Sequence, residues 1–206
     1  MIGNKNITAY KLGLKDRIVD LAMELFVDKG IKAVRMDDIA QRLAISKRTL
    51  YELYDNKEDL LCEGVRRHRL EHDGEMKAMM DAGKNVIDII LYLYKKNIEG
   101  FRKVNPRFFS DIVKYPRVVD MLEADRATNR QHFQDFLRRG VNEGYFRPDV
   151  NYELVATLSE AFGDLVMSAQ LYVKYGLDTL LRTMVFTSLR GFCTLEGVKM
   201  LDAFKL

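Results

Sequence analysis

Long apolar runs are missing from this chain. No stretch comes near the roughly 20 apolar residues that a membrane span requires, and the opening residues, MIGNKNITAYKLG, lack the apolar core of a secretion signal. No membrane partner is expected, and the cytoplasm is the expected location. Cysteine is scarce: Cys62 and Cys193 lie far apart, each in an apolar helical context, which predicts reduced, buried thiols rather than a disulfide framework. Internal repeats, low-complexity segments and strand-like alternation of useful length are absent too, so the periodicities left to read are helical.

Catalytic patterns are equally thin. There is no G-x-S-x-G, no phosphate-cradling glycine loop and no Cys-x-x-Cys, and Ser, His and Asp are not grouped anywhere. The segment His68-Arg69-Leu70-Glu71-His72 matches H-x-x-E-H, the signature of inverted metallopeptidases. Two imidazoles four residues apart on a helix can share a metal, and Glu71 could serve as a base. Yet Arg66, Arg67 and Arg69 would repel a dication, and beyond the pair only His132 remains, with no third-ligand motif. No enzyme activity, metal or cofactor is expected; a metal-dependent hydrolase using His68, Glu71 and His72 is the remote alternative.

What is present is ample core material and one organised stretch. The 206 residues are 48% hydrophobic with a formal net charge of +3, enough for one large or two small domains and only mildly basic. The distribution of charge therefore matters more than its total. From Met36 to Lys57 the chain reads MDDIAQRLAISKRTLYELYDNK. Ile39, Ala40 and Leu43 fall at helical spacing, Ala44-Ile45 interrupts, and Ser46 can cap a second helix carrying Leu50, Leu53 and Tyr54. This is a helix-turn-helix pattern. Ala40 sits where the helices cross closely, and Ile39, Ile45 and Leu50 supply a small shared core. Lys47, Arg48, Thr49 and Tyr51 gather at the start of the second helix, where a recognition helix meets base edges and phosphates.

With Leu14 to Gly30 before it and Lys57-Glu58-Asp59-Leu60-Leu61 after it, this stretch resembles the DNA-binding domain of TetR-family transcriptional regulators. The landmarks are Ala22 and Phe26 followed by Asp28-Lys29-Gly30, then Asp38-Ile39-Ala40, Ser46-Lys47, Thr49-Leu50-Tyr51 and Asn56-Lys57-Glu58-Asp59-Leu60-Leu61. They are specific as a set and cover about the first third of the chain. The resemblance implies an all-α protein: an N-terminal three-helix helix-turn-helix domain over 1–56, and a helical effector-binding and dimerisation domain over 57–206 with 57–82 as connecting helix. The expected DNA contacts are Arg35, Met36, Ser46, Lys47, Arg48, Thr49, Tyr51, Tyr54 and Lys57. Three departures stand out. Arg35 replaces the usual Ser or Thr, so Asp37 and Asp38 must offset the helix dipole. Ala44 replaces a frequent glycine, at roughly 1 kcal/mol if the turn is left-handed. Leu53 replaces a second aromatic. Glu52, odd beside phosphates, either pairs with Arg48 or reads a cytosine amino group.

Along the chain, a helix is expected from Leu14 to Lys29, a long one from Lys57 to about Asp81, another from Asn85 to Lys103, then helices opened by Pro106 and Pro116, the latter running to Gly140 or Gly144. Two apolar-rich helices follow, Tyr152 to Tyr175 and Leu177 to about Glu196. This last pair leaves too little protein to cover both faces, so a homodimeric four-helix bundle is expected through Leu158, Phe162, Leu165, Leu181, Met184, Ser188 and Phe192, a purely intrachain bundle being the alternative. Lys5, Lys11 and Lys15, with no acid among the first fifteen residues, suit either an arm near phosphate or a solvated tail.

Flexible and aromatic apolar side chains, among them Met79, Phe108 and Phe136, are candidates for either plain core or an effector pocket. The expected lining is Met76, Met80, Tyr92, Phe101, Phe109, Met121, Phe133 and Met167. Glu160 and Asp164, one turn apart, could meet a cation, solvent or the partner subunit. The function these readings imply is a sequence-specific transcriptional regulator, a repressor released from a palindromic double-stranded operator by a small-molecule effector. An effector-free architectural or division-control protein on the same fold is the alternative.

Overall fold

A computed structural model describes the backbone of residues 2–204 and the side chains of residues 11–204. Helices follow one another as α1 (Ile2–Lys29), α2 (Met36–Arg42), α3 (Lys47–Tyr51), α4 (Lys57–Asp81), α5 (Val86–Phe101), α6 (Pro106–Ile112), α7 (Pro116–Ala124), α8 (Arg126–Asn142), α9 (Tyr152–Ser168), α10 (Leu171–Tyr175), α11 (Leu177–Phe192) and α12 (Leu195–Ala203). Among the described residues there is no strand, only an isolated bridge between Phe146 and Cys193, and no helix is long and apolar enough to cross a membrane. The first helix begins well before Leu14, at Ile2; the Lys5 side chain lies outside the described residues.

The chain divides into two compact units. The first comprises Met1–His72 with Val104–Glu123, the second Asp73–Lys103 with Ala124–Leu206. Residues 104–123 therefore pack with the N-terminal helices although α5 separates them in sequence. The reason is apolar: Phe108 and Val118 are buried in the same cluster as Ile18, Phe26, Ile39, Leu50 and Leu60. Polar contacts pin the segment. Asn105 N–H donates to Val27 O at 2.8 Å, and the Asp111 carboxylate accepts from Lys32 N–H at 2.9 Å. Gly30, at φ +86°, ends α1 against this segment; a Cβ there would lie 2.8 Å from Arg107 Cβ.

Across the first unit, α1 and α4 are joined by an ionic cluster. Arg67 donates to Glu63 and to Asp16, each at 2.8 Å, and Arg66 chelates Glu63. The hydrogen bond from Arg66 holds the Glu63 carboxyl down at about 2, despite the opposing effect of burial.

The second unit centres on Val86, Ile87 and Leu91 of α5, Leu137 of α8, Leu189 and Phe192 of α11, and Leu201 of α12. Phe146, in the turn after α8, plugs the middle, edge-on to Phe192 with centroids 5.1 Å apart. Its ring occupies the space over Gly140, where a Cβ would lie 2.0 Å away. Two expected helices are broken. Asp125 separates α7 from α8, and Gln170, at φ +50°, separates α9 from α10. A further helix, α12, capped by the Thr194 hydroxyl, continues beyond the expected end at Glu196.

Candidate nucleic-acid interface

The helix-turn-helix is built from the inside out. Ile39, Ala40 and Leu50 are buried between α2 and α3, and the turn closes by Ile45 N–H donating to Ala40 O at 3.0 Å. Ala44 sits in that turn at φ +53°, the left-handed conformation its place demands. At the start of α2, Asp38 accepts from Arg35 N–H at 2.8 Å, a carboxylate serving where the arginine side chain cannot. Ser46 caps α3: its Oγ accepts from Thr49 N–H at 3.0 Å.

On this frame the nine expected DNA contacts fall into three groups. Arg35, Ser46, Lys47, Arg48 and Tyr51 are exposed, Tyr51 by 47%. Thr49, Tyr54 and Lys57 are half-buried, and the Met36 side chain is turned into the core. The Lys57 ammonium is engaged internally, donating to Ile31 O and Val34 O at 2.8 Å each. Burial pushes its pKa down, against the pull of Asp111 and Asp38. Tyr54 lies under the Lys15 ammonium, 5.7 Å from its ring centroid. Arg48 Nε donates to Glu52 at 2.9 Å, so the i,i+4 pairing explains Glu52. The ion pair between Lys47 and Asp37 is one that sequence spacing does not announce, since it crosses the turn. Arg42, exposed at the end of α2, is a further cation beside this surface that the motif did not single out.

The second unit holds a cavity of about 360 Å³ between α4 and α8. Of the candidate lining residues Met76 and Met80 border it, with Phe136 from the wider candidate list, and His132 and Arg139 border it too. Phe136 and Arg139 fall four and seven residues after His132 on one face of α8, and the polarity of His132 and Arg139 masks that face as a pocket lining in the sequence. The other expected lining residues are placed elsewhere. Phe109 packs in the first unit's core, and Met121 belongs to that unit as well. Tyr92 and Phe133 are exposed, and Phe101 and Met167 are half-buried away from the cavity.

Of the expected dimer contacts, Leu158 and Leu165 are 59% and 52% exposed, in line with Leu154 on one face of α9. Phe162, Leu181 and Met184 are half-buried and Ser188 is exposed. Phe192 is turned inward onto Phe146 and Tyr152. Glu160 and Asp164 are taken by Arg130 and Arg126 of α8. Among the described residues no group of three or more His, Cys, Asp or Glu side chains is arranged to hold a metal, the H-x-x-E-H segment included.

Comparison with known proteins adds independent information. Residues 18–63 match the family model of bacterial regulatory proteins, tetR family. The transcriptional repressor KstR2 of Mycolicibacterium smegmatis is 27% identical over 147 residues, covering 68% of this chain and 71% of that protein. IcaR, the negative regulator of the biofilm operon icaADBC in Staphylococcus epidermidis, is 42% identical over 52 residues, 25% of this chain and 28% of its own length. Among solved structures, a transcriptional regulator from Saccharomonospora viridis in complex with choline superimposes with a TM-score of 0.69 at 20% identity, covering 88% of this chain and 98% of that one.

Proposed function

We propose that this chain, a member of the tetR family of bacterial regulatory proteins, represses transcription by binding a palindromic operator as a homodimer in the cytoplasm. The observation that carries the reading is the surface of α3. Lys47, Arg48 and Tyr51 stand exposed on a helix whose opposite side, through Leu50, is sealed in the core. Such a helix can enter a major groove with its basic residues leading. Ser46 and Thr49 sit beside them for phosphate or base-edge contacts. Lys57, tied to two carbonyls, instead holds the loop between α1 and α2 in place.

Dimerisation rests on the exposed leucines of α9, which a second copy covers in a four-helix arrangement with α11. Repression rather than activation is supported by the relatives named repressor or negative regulator. The cavity lined by Met76, Met80 and Phe136 takes the effector: methionines adapt to an apolar ligand, and His132 and Arg139 can orient a polar group on it. A structural neighbour solved with choline supports an effector of small-molecule size. Effector and operator affinities are then reciprocally linked, typically by about 1 to 3 kcal/mol. The test is footprinting of the full chain on the DNA upstream of its own gene and of its neighbours. Two protected half-sites related by a dyad, lost with Lys47→Ala, are expected; uniform or no protection on every fragment would refute the operator reading.

A further inference from the structure

The arginines of the second unit follow a pattern with two exceptions. Arg126, Arg130, Arg138, Arg139, Arg147 and Arg190 are each paired with a carboxylate. The remaining two, Arg102 and Arg182, have no such partner among the described residues, and both line the same groove between α5 and α11. Lys95, likewise without an ion pair among the described residues, lines it too, whereas the adjacent Lys96 is engaged with Glu75. The groove has a volume of about 320 Å³, and Tyr94, Ile98 and Phe204 give it an apolar floor. It shares no lining residue with the methionine-lined cavity.

Unpaired like charges that converge on an apolar floor are well placed to receive an anion. Solvated side chains keep their mutual repulsion small in water, and a carboxylate arriving between guanidinium groups gains charge-assisted, bidentate hydrogen bonds. The acids of the groove set the limit on ligand charge. Glu99 and Asp178 line it as well, and Asp178 already accepts from Thr179 N–H at 2.9 Å. Among the described residues of the lining, three cations against two carboxylates leave a single positive charge, which favours a monoanion over a phosphorylated or polyanionic ligand. The volume lies at the small end of ligand sites, about 300 to 1,000 Å³, and fits a body the size of a fused bicyclic ring.

We propose that this groove is a binding site for a small organic monoanion, a carboxylate on an apolar aromatic body. Arg102 and Arg182 clamp the carboxylate, and Tyr94, Ile98 and Phe204 pack the body. The test is calorimetric titration of the full chain with 2-naphthoate and with its uncharged isostere, 2-naphthamide. Saturable binding of naphthoate is expected, with the amide and each of Arg102→Gln and Arg182→Gln weaker by about tenfold or more. Circular dichroism melts of both variants check that the fold is kept. NMR contacts from naphthoate to the Ile98 methyl groups are expected alongside. Equal binding of acid and amide, contacts to the Met76 and Met80 methyl groups instead, or no saturation below about 1 mM would each overturn the proposal.

Discussion

In the first unit the exposed apolar side chains, Leu12, Tyr51, Leu70, Val113 and Leu122, are scattered one to an element; in the second, α9 alone sets Leu154, Leu158 and Leu165 in water on one face. The head closes on itself. Its core includes Ile18, Phe26, Ile39, Leu50, Leu60 and Leu61, all at 0% exposure, and its rim is stitched by ion pairs such as the Glu63, Arg67 and Asp16 cluster. The second unit has a comparable plug in Phe146, Phe192 and Leu137, yet lines up three exposed leucines on one helix and holds the methionine-lined cavity and the arginine-lined groove. A head built on one fully buried core suits a surface that must meet DNA in fixed register. A row of exposed leucines, a cavity and a groove suit a unit that meets other molecules. What distinguishes the second unit from the first is the lining up of exposed apolar side chains on one helix, rather than their mere presence.

The comparison breaks most sharply on a single residue type. Leu50→Ala in the head should cost about 2 to 5 kcal/mol, because it removes transfer energy and leaves a cavity in a sealed core. Leu158→Ala should change monomer stability by no more than about 0.5 kcal/mol, with its effect appearing instead as a weaker dimer. Urea titrations and sedimentation velocity separate the two; equal loss of stability in both variants would erase the distinction between the units. Next in size, Lys47→Ala and Tyr51→Ala should each weaken operator binding by about 1 to 3 kcal/mol, with the dimer intact by sedimentation. Unchanged affinity in both variants would remove α3 as the reading element.

Acid sharpens the contrast from the electrostatic side. The folded-state pKa of Glu63 is depressed from 4.5 to about 2, chiefly by the Arg66 hydrogen bond. Its contribution is therefore fully present above about pH 4.5 and is lost as pH falls toward 2. Glu63→Gln should lower stability at pH 6 and flatten the decline between pH 5 and pH 3, as read from urea midpoints; an unaltered pH profile would mean the cluster carries no net stabilisation. The smallest effect is expected at Ala44. Ala44→Gly should stabilise the head by about 0.5 kcal/mol, the left-handed penalty less the greater freedom of glycine when unfolded. A loss on that substitution would contradict the turn geometry.

The local features were legible and the long-range ones were not. The helix from Lys57 to Asp81, the turn at Ala44, the Ser46 cap and the Arg48–Glu52 pair are set by neighbours within a few residues, and each could be read from spacing. The return of residues 104–123 to the head could not, because Phe108 and Val118 find their partners in helices many residues upstream. Phe192 shows the same blindness. On α11 it has the same apolar character as Leu181 and Met184, and only the arrival of Phe146 beneath it turns it inward. Lys57 at a helix start resembles a phosphate contact, until the loop between α1 and α2 presents two carbonyls to it. At Gln170 the chain makes a left-handed break with no glycine to signal it.

Whether the head reads sequence is decided by titrating the purified full chain against a fragment of its own upstream region, at several salt concentrations and with unrelated DNA as competitor. Saturable binding that unrelated DNA does not displace and that survives at physiological salt is the expected result. Binding that unrelated DNA displaces freely and that collapses steeply with salt on every genomic fragment tried would contradict it.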